Sequence, residues 1–200
     1  PFSGDYVQQQ IAFYYNGYDD WHHFFKTGKF ILYDENTFLG ANNMASNSFY
    51  YLFNIFFLPI LLFPRDFIPQ GMAILTILKM ALAGLFFALY MKQLKVKDST
   101  SKICGLAYAF CGWICWYLWF NVFTEIAICF PLILLGIEKV FDKKPPIILS
   151  LAIALLGFTN FFFLPTYTLC GFIYAMFRFF QKMKKNTAKE NLNILLLGFL

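Results

Sequence analysis

Charge is what this chain has least of. Lysine, arginine, aspartate and glutamate make up 14% of its 200 residues, against about a quarter in a soluble domain that needs a polar shell. Histidine occurs only as the adjacent pair His22–His23, whose side chains diverge on a helix, so the pair is no metal chelate. The five cysteines lie inside apolar runs, and no histidine or carboxylate joins Cys111 and Cys115 at ligand spacing. They read as small buried hydrophobes, and no metal site is expected from them. A P-loop, a GxGxxG turn and an HExxH helix are missing as well, so nucleotide-dependent and zinc-hydrolase chemistries have no support. No secretory signal opens the chain, which begins at Pro1 and ends in the apolar run GFL. The expectation is a piece of a longer protein, in which an earlier segment, most simply a first helix, carries the N-terminal stretch across a membrane.

What fills the chain is apolar and aromatic. Hydrophobic residues are 60% of it, with 28 phenylalanines, 12 tyrosines and a mean hydropathy of +0.58, a composition suited to lipid-facing helices and interfacial belts. Runs near the roughly 20 residues needed to cross hydrocarbon lie at 70–91, 103–121, 122–140, 146–163 and 164–180, with another opening at 192. The expected fold is an all-α polytopic membrane protein with five to six transmembrane helices. Twelve of the 16 basic residues fall in three loops: Lys92, Lys95, Lys97 and Lys102; Lys139, Lys143 and Lys144; and Arg178, Lys182, Lys184, Lys185 and Lys189. The turns at 121–125 and 160–166 carry none. The positive-inside rule makes the basic loops cytoplasmic and the bare turns external. The net charge of +5 is thereby an orientation signal, and no nucleic-acid partner is expected.

Helix 70–91 then runs inward, which leaves residues 1–69 extracytoplasmic. The run at 46–64, interrupted by Asn54 and Pro59, is expected to lie in the interface or to re-enter; a true span with a cytoplasmic head is the alternative. Ile11, Phe13, Tyr14, Tyr18, Trp21, Phe24 and Phe25 fit one or two amphipathic helices on the outer leaflet. The loop 33–48 offers Asn36, Asn42, Asn43 and Asn47, donors and acceptors suited to sugar hydroxyls or to Asx turns. Asp5 and Gln9, four apart, share a helix face; Asp5 could serve as a general base or as a helix cap. Lys79 lies inside an apolar run, where a charge faces a cavity or finds a partner. Glu125, in a short turn, could pair with it; alternatively Lys79 or Arg65 neutralises a lipid phosphate.

The order of motifs resembles the bacterial YfhO-like family of membrane proteins, which belongs with the GT-C glycosyltransferases. Carrying the resemblance are GDYVQQ at 4–9, FLGANN at 38–43, FYYLFNIFFLPILLFP at 49–64 and LKMALAGLFFALYMKQL at 78–94. SKICGLAYAFCGW at 101–113, FPLILLGIEKV at 130–140 and TNFFFLPTY at 159–167 complete it. One departure is YDEN at 33–36, where the pattern has an aromatic-led Trp–Asn stretch. The resemblance implies transfer of a sugar from a polyprenyl-phosphate donor to a cell-envelope acceptor, a teichoic-acid-type polymer or a lipid, on the external face. It maps the catalytic carboxylate to Asp5, with Glu125 a secondary candidate. Gln9, Asn42 and Asn43 would position sugar, and Lys79 or Arg65 would meet phosphate. It leaves a divalent metal open, because GT-C enzymes differ in using one. A transporter or flippase of lipid-linked saccharide and a non-catalytic scaffold are the competing classes.

Overall fold

The computed structural model describes residues 4–35 and 40–183. Asn36, the run opening at 192, and Lys184, Lys185 and Lys189 lie outside the described residues. A π-helical turn, Tyr6–Gln10, leads into α1, Ile11–Thr27. Gly28 closes α1 at φ 70°, donating its N–H to the Phe24 carbonyl at 2.7 Å, a left-handed cap that glycine adopts without Cβ strain. A two-residue antiparallel pair follows, β1 (Tyr33–Asp34) and β2 (Ala41–Asn42), with Tyr33 opposite Asn42. The short α2, Asn43–Asn47, comes next.

Residues 46–64 form no continuous helix. They break into a π-turn at Ser48–Leu52, tight turns, and a 3-10 segment at Leu58–Leu62. Asn54 causes part of the break: its Oδ1 accepts from the Phe56 N–H at 2.9 Å, a local bond that competes with helix. Pro59 then opens the 3-10 segment. Tyr51, Leu52, Phe57 and Ile60 from this stretch are buried with Tyr6, Tyr14, Ile68, Met72 and Leu75. The N-terminal unit, residues 4–64, is thus seated on the first turns of the next helix.

That helix is α3, Ile68–Gln93, followed by α4, Asp98–Ala109, a single turn α5, Gly112–Trp116, and then α6, Thr124–Phe141, α7, Ile147–Thr159, and α8, Leu164–Met183. The apolar run 103–121, expected as one span, is not one helix: Cys111 is extended, at φ −66° and ψ 157°, and 3-10 turns carry the chain from Tyr117 to Phe123. This stretch is crowded with rings, which pair across the irregular turns: Trp113 with Tyr117 at 4.4 Å, Phe120 with Phe123 at 4.5 Å. Aromatic side chains lose rotamer freedom in a helix, and apolarity fixes where a chain leaves water without fixing its backbone. Among the described residues two segments are long and apolar enough to cross a membrane, Arg65–Gln93 and Asn121–Phe141; Ile147–Thr159 is a shorter apolar helix. The outer surface is rich in exposed Leu, Ile and Phe, including Ile74, Ile77 and Leu85 on α3 and Phe172, Ile173 and Phe177 on α8, as suits contact with lipid.

Small residues bring the helices together. A Cβ on Gly105 would lie 2.5 Å from the Gly84 carbonyl oxygen and 2.8 Å from the Ala88 Cβ; Gly84 and Ala88 on α3, with Gly105 and Ala109 on α4, form the small-xxx-small contact of membrane helices. A Cβ on Gly136 of α6 would likewise lie 2.6 Å from the Leu149 Cα of α7. Pro131, inside α6, cannot donate to the Ala127 carbonyl, and the Tyr108 hydroxyl takes that acceptor at 3.1 Å.

The bundle has two unlike ends. At one, α3 and α6 both finish with a lysine in left-handed conformation, Lys95 at φ 64° and Lys143 at φ 59°. Val96 N–H bonds to Met91 O and Lys144 N–H to Lys139 O, the six-to-one bond of a Schellman turn. At the other end are the lysine-free turns, and the N-terminal unit lies beside them, with Phe49 edge-on to Phe161 at 5.7 Å.

Replacing Gly105 by Leu should force α3 and α4 apart, an overpacking penalty of about 1–3 kcal/mol read as a lowered Tm in detergent. Gly112→Ala, with nothing within 4 Å of the added Cβ, should leave Tm unchanged.

Candidate functional site

The end with the lysine-free turns holds a layer of buried polar side chains. Lys79 projects from near the middle of α3 and is 2% exposed; Glu125, in the first turn of α6, is 0% exposed. The Lys79 Nζ donates to Glu125 Oε1 at 2.6 Å and to Asn121 Oδ1 at 2.8 Å, and the Tyr14 hydroxyl of α1 also lies against the ammonium. The Asn54 Nδ2 donates to both carboxylate oxygens of Glu125, at 2.9 and 2.7 Å. Thr124 Oγ1 bonds the Asn121 carbonyl at 2.8 Å, and Asn160 Nδ2 bonds the Val122 carbonyl at 3.2 Å. A carboxylate in a first helical turn also faces the positive end of the helix dipole. Charges taken out of water are tolerable only when paired and hydrogen-bonded; here four separate parts of the chain supply the partners.

The N-terminal unit has its own buried acid. Asp20 Oδ2 accepts from Asn43 Nδ2 at 2.7 Å and from the Tyr51 hydroxyl at 3.0 Å. Asn43 also donates to the Ile31 carbonyl at 3.0 Å and accepts from Asn47. Burial, and then the charge of Asp20, push the Tyr51 phenol well above its ordinary pKa, so it remains a donor throughout physiological pH. These bonds lock the asparagine loop onto α1.

The sequence candidates therefore separate into fixed and free groups. Lys79 and Glu125 come together as an enclosed ion pair. Arg65 forms a two-point contact with Asp19, at 3.0 and 2.9 Å, on the exposed surface, and stacks over Tyr15 at 4.9 Å. Asn42 is exposed and caps α2, accepting from the Ala45 N–H at 3.0 Å. Asn43 is buried in the Asp20 network. Asp5 is half-buried at the start of the π-turn and makes no capping bond there. Burial, and then the charge of Asp5, push the Tyr50 phenol above its ordinary pKa. Gln9 is half-buried, one turn on.

Asn121, Tyr14 and Asn160 were not among the sequence candidates, and Asn54 was noted only as an interruption. Their common signal is a polar side chain set in an otherwise apolar or aromatic run. Among the described residues no group of three or more His, Cys, Asp or Glu is placed to hold a metal ion.

The family model described as "Bacterial membrane protein YfhO" matches residues 1–200. No curated protein and no solved structure matches the chain.

Because the buried pair is mutually compensating, removing one partner should be far worse than removing both. Lys79→Met or Glu125→Gln alone should each destabilise by about 3–5 kcal/mol. The double variant should recover much of that loss, and a thermodynamic cycle on detergent-solubilised protein measures the coupling.

Proposed function

This chain belongs to the YfhO family of bacterial membrane proteins, and from that premise we propose that it forms part of a multi-pass membrane glycosyltransferase. In this reading it moves a sugar from a polyprenyl-phosphate donor to a cell-envelope acceptor on the external face. The observation that carries the reading is the half-buried Asp5 carboxylate, which caps no helix and sits on a unit packed against the end of the bundle opposite the basic turns. That position agrees with residues 1–69 being extracytoplasmic under the positive-inside rule.

The chemistry needs little more than position and charge. The acceptor hydroxyl attacks the anomeric carbon, Asp5 takes the hydroxyl proton, and the sugar–phosphate bond breaks with its electrons leaving on the lipid phosphate. Gln9, one turn from Asp5, orients the sugar, while Asn42 and Asn43 shape the flanking loop. Arg65, exposed and held by Asp19, is the better placed of the two cations to meet phosphate. Lys79, enclosed against Glu125, contributes by holding the unit in place. The donor's chain stays in lipid, so no soluble nucleotide is required outside the cell.

A translocase that moves a lipid-linked saccharide without forming a bond is the second reading. The enclosed Lys79–Glu125 pair favours it, since paired intramembrane charges mark transport paths. Reconstitution of the full-length protein with a polyprenyl-phosphate sugar separates the two: a new glycosidic bond, or movement alone.

In the full-length protein, Asp5→Asn should lower sugar transfer by about 10²–10⁴-fold with expression and Tm unchanged. Retained transfer moves the base to Asp34, Glu35 or Glu125. Sidedness has its own check. In a background without the native cysteines, Val7→Cys, at an exposed position, should react with an impermeant maleimide in intact cells and Lys144→Cys should not. The reverse pattern inverts the topology and removes the proposed external site.

A further inference from the structure

A groove of about 560 Å³ runs between α3, α6 and α7 at the lysine-rich end of the bundle, within the size range of ligand clefts (about 300–1,000 Å³). Its walls are aliphatic and aromatic, with Phe86 and Leu89 from α3, Leu132 from α6 and Leu155 from α7. Its polar members, Lys92, Gln93 and Lys139, come from the last turns of α3 and α6. Lys139 to Leu132 is two helical turns, about 10 Å, so the groove has a cationic rim and an apolar floor. Leu89 and Leu151 on its edges are exposed, which opens it sideways onto the lipid-facing surface.

The charges around the rim are unevenly matched. Lys92 shares Asp98 with Lys102, at 3.1 and 2.7 Å. Gln93 donates to Asp142 at 2.6 Å, and Asp142 also meets Lys182 at 3.4 Å. The neighbouring Glu138 is turned away, held by Arg178 and Tyr174. Lys139 is half-buried and has no hydrogen bond or ion pair among the described residues. A lysine stem lying on apolar surface with its ammonium at the rim is the snorkelling arrangement of a membrane interface.

The geometry points to an anionic glycerophospholipid as the occupant, with one acyl chain along the floor and its phosphate between Lys139 and Lys92. Basic clefts between membrane helices at the positively charged side bind such head groups. A soluble anion would leave the apolar floor uncovered, and a zwitterionic lipid would leave Lys139 without net compensation. The inference rests on the membrane reading and is independent of sugar transfer.

The test uses the full-length protein in nanodiscs of equal phosphatidylglycerol and phosphatidylcholine, followed by detergent extraction and mass spectrometry of the retained lipid. Wild type should retain phosphatidylglycerol preferentially, and Lys139→Gln and Lys92→Gln should each reduce the preference about fivefold. Leu89→Trp should lower retention of both lipids by filling the groove, whereas Lys29→Gln, on the N-terminal unit, should change nothing. Equal retention of the two lipids by wild type, or a preference untouched by Lys139→Gln, would overturn the assignment. So would displacement of phosphatidylglycerol by equimolar polyprenyl phosphate, or a later segment of the full-length chain seated in the groove. Since the nanodisc is symmetric, its outcome is separate from the maleimide result on sidedness and from the transfer assay.

Discussion

A single buried ion pair sets the geometry of this protein. Lys79 and Glu125 lie 46 residues apart in sequence and meet where water is excluded, so each charge is tolerable only while the other is in place. The pair does not close on itself. The carboxylate needs Asn54 from the N-terminal unit, and the ammonium needs Asn121 from the turn before α6 and Tyr14 from α1. The requirement to satisfy these groups holds the amphipathic unit, α3 and α6 in one arrangement. Such pairs contribute little net stability; what they fix is register.

The same constraint explains where the backbone becomes irregular. Non-helical chain at membrane depth is tolerated only where protein covers it. Residues 46–64 and 110–123 are the two broken stretches; Phe56 of the first packs into the cluster around Ile114 of the second, and Asn54 reaches Glu125 in the first turn of α6. The carbonyl freed by Pro131 is likewise met by Tyr108, so α6 passes its proline without an unsatisfied acceptor. Close glycine contacts between α3 and α4 and between α6 and α7 supply the remaining adhesion by van der Waals packing, because the hydrophobic effect does not drive helices together in lipid.

This arrangement leaves the two ends of the bundle with different chemistry. One presents lysines on left-handed helix caps and a greasy groove open to the side. The other carries a rigid unit whose acids are mostly spoken for: Asp20 by Asn43 and Tyr51, Asp19 by Arg65, Glu125 by Lys79 and Asn54. Asp5, like the exposed Asp66, differs from these in having no hydrogen-bonded partner among the described residues. The proposed reaction depends on that contrast.

Much of the architecture was written in one-residue properties. Hydropathy marked α3 and α6, the clustering of lysines marked the polarity of the bundle, and Asn54 with Pro59 marked 46–64 as unfit for a continuous span. Hydropathy failed at 103–121, where apolar residues are abundant but the helix ends at Ala109 and Cys111 is extended. The lone lysine inside an apolar run correctly announced a buried charge needing a partner, and left open whether that partner was a protein acid or a lipid phosphate. Asn42 and Asn43, alike in sequence, were given different work by folding, one a helix cap and the other a link to Asp20. The transfer energy of a side chain belongs to that residue and its solvent, so composition and order alone determined a membrane protein with one basic end. Hydrogen bonds and ion pairs join two residues across distant elements, and only the tertiary structure decided which acids are held and by which partners.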